Sequence, residues 1–431
     1  MNDRRTFLKK SAAWAGGAAA FLTGLESPRS LLGETLDRAR TLRGSGGLPG
    51  ADEYLLDPGV RYLNHGSIGT IPRAVHEAHT AYLRVCESNP WRYMWDEPWR
   101  APVEETRRRA ARLLGCDAES VALTHNTTEG FNLLAQGLPL GPGDEVLFSS
   151  LNHPGAAIPW DVQAPRRGFS VRRFDLPLED ISTLTVDDVI ALHVAQIRAE
   201  TRVLVLPHVD NTVGLRHPVE QIAARAKAQG VRWIAVDGAQ TVSMIPLRLE
   251  GTQIDFYAAS PHKWIQAPKG VGLLYVAPSE LDTVHPMWVS SGRAAAAPSV
   301  RRFEDYGTRN LPEIVTLGDA LAFQETVDPT AREGRHRETW ARTVARTDAT
   351  PGFRWYSPRQ WELSASLYLV GTEGVPSAAL FARLWPEDGI VFRAFRTASG
   401  VDGARLSPNL QTDPDDLETF FRRAEAVRRE G

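Results

Sequence analysis

Short β-branched runs alternate with stretches of helical spacing between residues 121 and 276, and this alternation constrains the fold more than any other feature. Val121–Thr124, Glu145–Ser149, Val203–Val209, Trp233–Asp237 and Val271–Val276 read as buried strands, while segments such as Val219–Gln229 carry the apolar repeat of a helix. Strands apolar on both faces need cover on both sides. The pattern therefore predicts an α/β fold with a mostly parallel central sheet. With 431 residues, 42% of them hydrophobic, the chain is long enough for two or three domains. The pattern divides it into a signal segment 1–30, a linker 31–50 centred on the Gly-rich run Leu42–Gly50, and an N-terminal segment 51–110 packing with a small domain. A large domain then spans 111–340 and a smaller α+β C-terminal domain 341–431, ending in a helix over Asp415–Arg428. Ala101–Gly115 reads as an Arg-rich amphipathic helix, and Trp91, Trp95 and Trp99 recur at a spacing that means helix packing.

Composition excludes several classes of function. Lys+Arg of 49 against Asp+Glu of 52 leaves a net charge of −3, which argues against nucleic acid or an anionic membrane as the main partner. The two cysteines, Cys86 and Cys116, form no CxxC pair, so a disulfide scaffold and a Cys-rich zinc site are both out, and no metal is expected. Arg4-Arg5 before Phe7-Leu8-Lys9, followed by the small and apolar run Ser11 to Leu25, is similar to a twin-arginine export signal. Such a signal implies the twin-arginine translocation machinery as a transient partner and a periplasmic or otherwise exported location. No Ala-x-Ala site closes the run, leaving cleavage and retention as an anchor both open.

Only five of the 49 basic side chains are lysines, and after the signal three remain. Lys227 lies in a polar helix and Lys269 in a turn. Lys263 follows the apolar run Phe256–Ala259 and stands between His262 and Trp264, surroundings in which desolvation lowers an amine's pKa and lets it form a Schiff base. Upstream, the apolar strand Trp233–Asp237 ends in an aspartate. In parallel sheets ligands bind at the carboxyl ends of strands, where a carboxylate can hold a pyridinium nitrogen protonated.

Asp237-Gly238-Ala239-Gln240, Ser260-Pro261-His262-Lys263-Trp264 and Pro268-Lys269-Gly270-Val271-Gly272 together resemble the class V aminotransferase family, nearest its isopenicillin N epimerase-like branch, from about Tyr62 to the C-terminus. The resemblance implies a fold-type I enzyme dependent on pyridoxal 5'-phosphate, with an aldimine on Lys263 and Asp237 beneath the ring nitrogen. It also implies that Thr127, Thr128, Ser260 and His262 hold the cofactor phosphate, at a helix start where backbone amides favour an anion. Asn126 with Glu129 further reads as a capping box. His153 is implied to stack on the cofactor ring, and Asn211 and Gln240 to contact its phenolic oxygen. Thr308, in Gly307-Thr308-Arg309, is implied to reach the neighbouring subunit's phosphate and hence to make a homodimer.

For the substrate, a small-molecule amino acid or peptide-like amine, the resemblance implies Arg405 as the candidate clamp of the α-carboxylate, with Arg393 the second choice, and places Asn64 in a motif near the site's mouth. Cysteine desulfurases of the fold that the resemblance implies carry a nucleophilic cysteine in the loop after the strand holding Arg393; this loop has none, which argues against desulfurase chemistry. Transamination, epimerisation and C–S or β-elimination stay open, as does, from another class, a non-catalytic cofactor-binding protein.

Overall fold

The computed structural model describes residues 31–41, 47–290 and 299–430; the segment 1–30, read above as an export signal, and most of the Gly-rich run lie outside the described residues. β1 (Arg61–Tyr62) precedes the large sheet, whose strands are β2 (Val121–Thr124), β3 (Glu145–Ser149), β4 (Ser170–Phe174), β5 (Thr201–Pro207), β6 (Trp233–Asp237), β7 (Phe256–Ala259) and β8 (Gly272–Val276). Their spatial order is β2-β8-β7-β6-β5-β3-β4. Every neighbouring pair is parallel except those of β8, which runs antiparallel to both β2 and β7. β2, β3, β5, β6 and β7 thus all end at one edge, and the turns that follow them gather there.

Five of these strands match the expected runs within two residues. Two apolar clusters cover the sheet: Leu204, Val236 and Leu273 point into one, and Val205, Ala235 and Leu274 into the other. This is the alternation a two-sided sheet requires.

The small domain holds β9 (Phe353–Trp355), β10 (Tyr368–Thr372), β11 (Ile390–Val391), β12 (Arg393–Arg396) and β13 (Asp402–Leu406). Four of them make an antiparallel sheet in the order β12-β13-β10-β9. Tyr368, Val370, Ala404 and Leu406 form one core with Phe420 and Phe421 of the helix Pro414–Glu430, whereas Leu369 and Phe395 face the large domain's cluster. β1 pairs in parallel with β11, tying the N-terminal segment to this domain.

One expectation is corrected. Residues 31–50 are not linker throughout, because Leu31–Thr41 form a helix. Leu32, Leu36 and Ala39 line one of its faces and pack into the large cluster. The Arg-rich helix also starts earlier than expected, spanning Asp96–Leu114, and ends on Gly115 in the left-handed conformation (φ 60°).

Gly214 joins the two domains at close range. Its φ is 71°, and a Cβ there would lie 1.8 Å from the Leu367 carbonyl oxygen. Gly214→Ala is expected to lower stability by more than about 1 kcal/mol, read as a fall in the urea midpoint at unchanged slope.

Candidate active site

The helix Thr127–Gly137 starts at the sheet edge just after β2, with Asn126 as its cap: the Asn126 Oδ1 accepts the Glu129 amide at 2.9 Å. The expected reciprocal half of the capping box is not made. Glu129 turns its carboxylate to His125 instead, pairing with Nδ1 at 2.7 Å. The Thr127 amide donates to Ser260 Oγ at 3.1 Å, and the two hydroxyls are 2.8 Å apart. β8 begins against this helix mouth through Gly272, where a Cβ would come within 2.4 Å of the Asn126 nitrogen. His262 Nδ1 is buried with no hydrogen-bond partner among the described residues. Burial, with the charges of Lys263 and Lys269, pushes this imidazole down to about 4, so it is neutral at pH 7. Two hydroxyls, helix-start amides and an unused ring nitrogen are the donor set an oxyanion requires. The residues present fit a phosphate.

Lys263 lies in the turn between β7 and β8, and Asp237 at the end of β6. Burial lowers the Lys263 amine to about 8, against the pull of Asp237; the positive charge of Arg405 lowers it further. Asp237 is 5% exposed. Its Oδ1 accepts the Ala239 amide at 2.9 Å, leaving Oδ2 for a further donor. Burial raises the Asp237 pKa, opposed by that amide, Lys263 and His153. A buried carboxylate of this kind fits a protonated ring nitrogen, because the partner's charge offsets its desolvation. His153 caps the helix Pro154–Arg167 and accepts the Gly155 amide on Nδ1 at 3.0 Å, so its neutral ring carries the proton on Nε2. It is exposed, yet within electrostatic reach of Asp237, Lys263 and Arg405.

The N-terminal loop closes over the lysine. The Gly69 amide donates to the His262 carbonyl at 2.8 Å, and a Cβ on Gly69 would lie 2.0 Å from the Lys263 carbonyl oxygen. Gln240 is a brace: its Nε2 donates to the Gly66 carbonyl at 2.7 Å, and its Oε1 accepts the Trp264 indole N–H at 2.9 Å. Sequence reasoning missed Asp210, beside Asn211. Its buried carboxylate accepts the amides of Thr212, Val213 and Leu215 and so shapes the loop that follows β5. The adjacent Asp-Asn-Thr run, a local turn former, was the available signal.

Arg405, on β13, is 3% exposed. It donates to the Asn211 carbonyl at 2.8 Å, to Asn64 Oδ1 at 3.1 Å and to Ser67 Oγ at 2.6 Å. No carboxylate among the described residues pairs with it, its Nε has no partner, and burial lowers its pKa to about 10. Ser67 was not singled out from sequence. Arg393 is exposed on β12, and its Cα is the register partner of the Arg405 Cα. Thr128 and Thr308 are both exposed. Of the three spaced tryptophans only Trp99 is buried; Trp91 and Trp95 lie exposed, edge to face at 5.8 Å. Among the described residues no group of three or more His, Cys, Asp or Glu could hold a metal ion.

Against known proteins, the profile of the family Aminotransferase class-V matches residues 61–407. Isopenicillin N epimerase of Streptomyces clavuligerus is 32% identical, the alignment covering 84% of this chain and 94% of that protein. A probable cysteine desulfurase of Pseudomonas aeruginosa is 31% identical, over 84% of this chain and 92% of its own. The crystal structure of the cysteine desulfurase CsdA from Escherichia coli shares the fold, with a TM-score of 0.75 over 88% of this chain and 97% of that one at 24% identity. That fold is the fold-type I scaffold of pyridoxal-phosphate-dependent enzymes. With a match running from β1 to just past β13, the chain belongs to the class V aminotransferase family of pyridoxal-phosphate-dependent enzymes.

Proposed function

We propose that this chain is an exported enzyme acting on the amino group of an α-amino acid or peptide-like amine, of the class V aminotransferase type. The observation that carries the reading is the buried Lys263 amine in reach of the Asp237 carboxylate, with the unpaired Arg405 guanidinium beside them. Lys263 would anchor pyridoxal phosphate covalently, Asp237 would hold its ring nitrogen, and His153 its ring face. Thr127, Thr128, Ser260 and His262 would hold its phosphate, with Asn211 and Gln240 near its oxygen. When bound, the cofactor supplies an electron sink for charge developing at the amino-bearing carbon.

The protein's own residues do the rest. Arg405, braced by Asn64, Ser67 and the Asn211 carbonyl, binds the substrate carboxylate and thereby orients the Cα–H bond. Lys263 Nζ, neutral in good part near pH 8, accepts the Cα proton as general base and returns it to product. The loop from Asn64 to Gly69 and the Gln240–Trp264 brace hold that lysine's turn in place.

Similarity to isopenicillin N epimerase over nearly that protein's full length favours epimerisation as a second reading. A C–S or β-lyase on the same scaffold is a third. Persulfide-forming desulfurase chemistry is disfavoured: the turn Thr397–Gly400 between β12 and β13 has no cysteine, Cys86 is buried in the helix Arg73–Ser88, and burial pushes the Cys116 thiol up to about 12. Export through the twin-arginine route to the periplasm rests on Arg4-Arg5 and the run after them. A homodimer, with Thr308 completing the partner's phosphate site, is part of the proposal.

Three outcomes are expected. Borohydride reduction of the coloured enzyme followed by peptide mapping labels Lys263, and Lys263→Ala abolishes both label and turnover; label elsewhere, or none, sinks the reading. Because the Lys263 pKa is lowered to about 8, capture of pyridoxal phosphate by apoenzyme speeds up as pH rises from 6 to 8 and levels above it, followed by visible absorbance. Arg405→Gln raises KM for a carboxylate-bearing amine by about 30-fold or more while kcat falls less, and release of keto acid, pyruvate or deuterated amino acid in D₂O sorts the three reactions.

A further inference from the structure

In the β12–β13 ladder Arg393 stands directly opposite Arg405. Opposed residues of an antiparallel pair share a face, with Cα atoms about 4.5–5.5 Å apart. That face is identified by its neighbours. Two residues along β12, Phe395 packs against the large domain's cluster, and so does Leu369, the register partner of Arg405 on β10. Ala394 and Ala404, on the opposite face, join the small domain's own core. Arg393 and Arg405 therefore both look out of the small domain towards the large one, on the side where Arg405 meets Asn64, Ser67 and Asn211.

Two arginines facing each other across a ladder repel, and like charges directly opposite destabilise a sheet. The Arg393 charge depresses the Arg405 pKa. The usual remedy, a carboxylate between them, is missing. Neither guanidinium has an ion pair with any described residue, whereas other arginines of this chain meet a carboxylate directly: Arg107 pairs with Glu304, Arg172 with Glu145 and Arg359 with Asp348. The Arg393 guanidinium also has no hydrogen-bond partner among the described residues. The turn that joins the two strands, Thr397–Gly400, brings no acid to the face either, and Asp402 is opposite Arg396, three residues along the ladder from the arginine pair and so on the other face.

From this we infer that the substrate carries a second carboxylate, read by Arg393, while Arg405 holds the α-carboxylate. The substrate class is then an acidic amino acid or a peptide-like amine with a free carboxyl terminus. Arg393 is the specificity-determining residue: its exposure lets the far end of the substrate extend towards solvent, whereas the buried Arg405 fixes the reacting end. This deepens the proposed function and rests on its assignment of Arg405 as the carboxylate clamp.

The test is calorimetric binding of unreactive acids to the pyridoxal-phosphate-loaded enzyme. Glutarate and adipate mimic an acidic side chain, glutaryl-glycine a peptide terminus, and pentanoate and hexanoate carry one carboxylate each. Wild type is expected to bind at least one of the three diacids about 10-fold tighter than the length-matched monoacid, and whichever arm shows the preference names the source of the second carboxylate. Arg393→Gln should erase that preference while leaving monoacid affinity within about twofold, and Arg393→Glu should bind diacids more weakly than monoacids. No diacid preference in wild type, or a preference that survives Arg393→Gln, overturns the inference with the clamp intact. If Arg405→Gln binds the monoacids as wild type does, the clamp reading itself fails, and the inference with it.

Discussion

Parallel pairing obliges strands to end at the same edge, and the chemistry of this protein depends on that constraint. β5, β6 and β7 lie side by side in parallel, so the turns after Pro207, Asp237 and Ala259 open together although they are far apart in the chain. β2 and β3 point the same way and deliver Thr127 and His153 to the same edge. The reversed β8 lets the chain return beside β7, so that the segment carrying Lys263 crosses this edge rather than leaving the sheet.

Charge burial is the cost of that arrangement. Lys263, Asp237 and Arg405 are all desolvated, and each has its charged form disfavoured: the two bases are lowered and the acid is raised. For Lys263 the result is a usable base near neutral pH. For Arg405 it is a guanidinium held by neutral oxygens, which stabilise it less than a carboxylate would and so leave it ready for an anionic ligand. Buried ion pairs elsewhere, such as Arg107 with Glu304, are closed within the protein and support structure instead.

Close backbone approach holds the edge shut. Gly66, Gly69 and Gly214 each lie where a Cβ would meet the Ser407 side chain, the Lys263 carbonyl or the Leu367 carbonyl, respectively. The loop from Asn64 to Gly69 thereby touches the lysine turn on one side and the small domain on the other. Gln240 and Trp264 complete the brace. Positioning of the lysine is shared by three separate parts of the chain.

The sequence by itself determined five of the large sheet's seven strands and the helix mouth at Asn126–Thr128, and it singled out Lys263 and Asp237 as candidates. Those features are local: a strand buried on both faces must be apolar throughout, a helix start needs its cap, and a rare lysine after an apolar strand stands out. Tertiary structure alone decided the rest. The helix Leu31–Thr41 went unread because its apolar stripe is narrow and gains stability only against a distant helix. The direction of β8, the bracing role of Gln240 and the backbone-shaping role of Asp210 are set by partners that local pattern does not name. Among 44 arginines, sequence could not separate the buried Arg405 from the exposed Arg393 or show that they face each other, because cross-strand register and desolvation are properties of the folded chain.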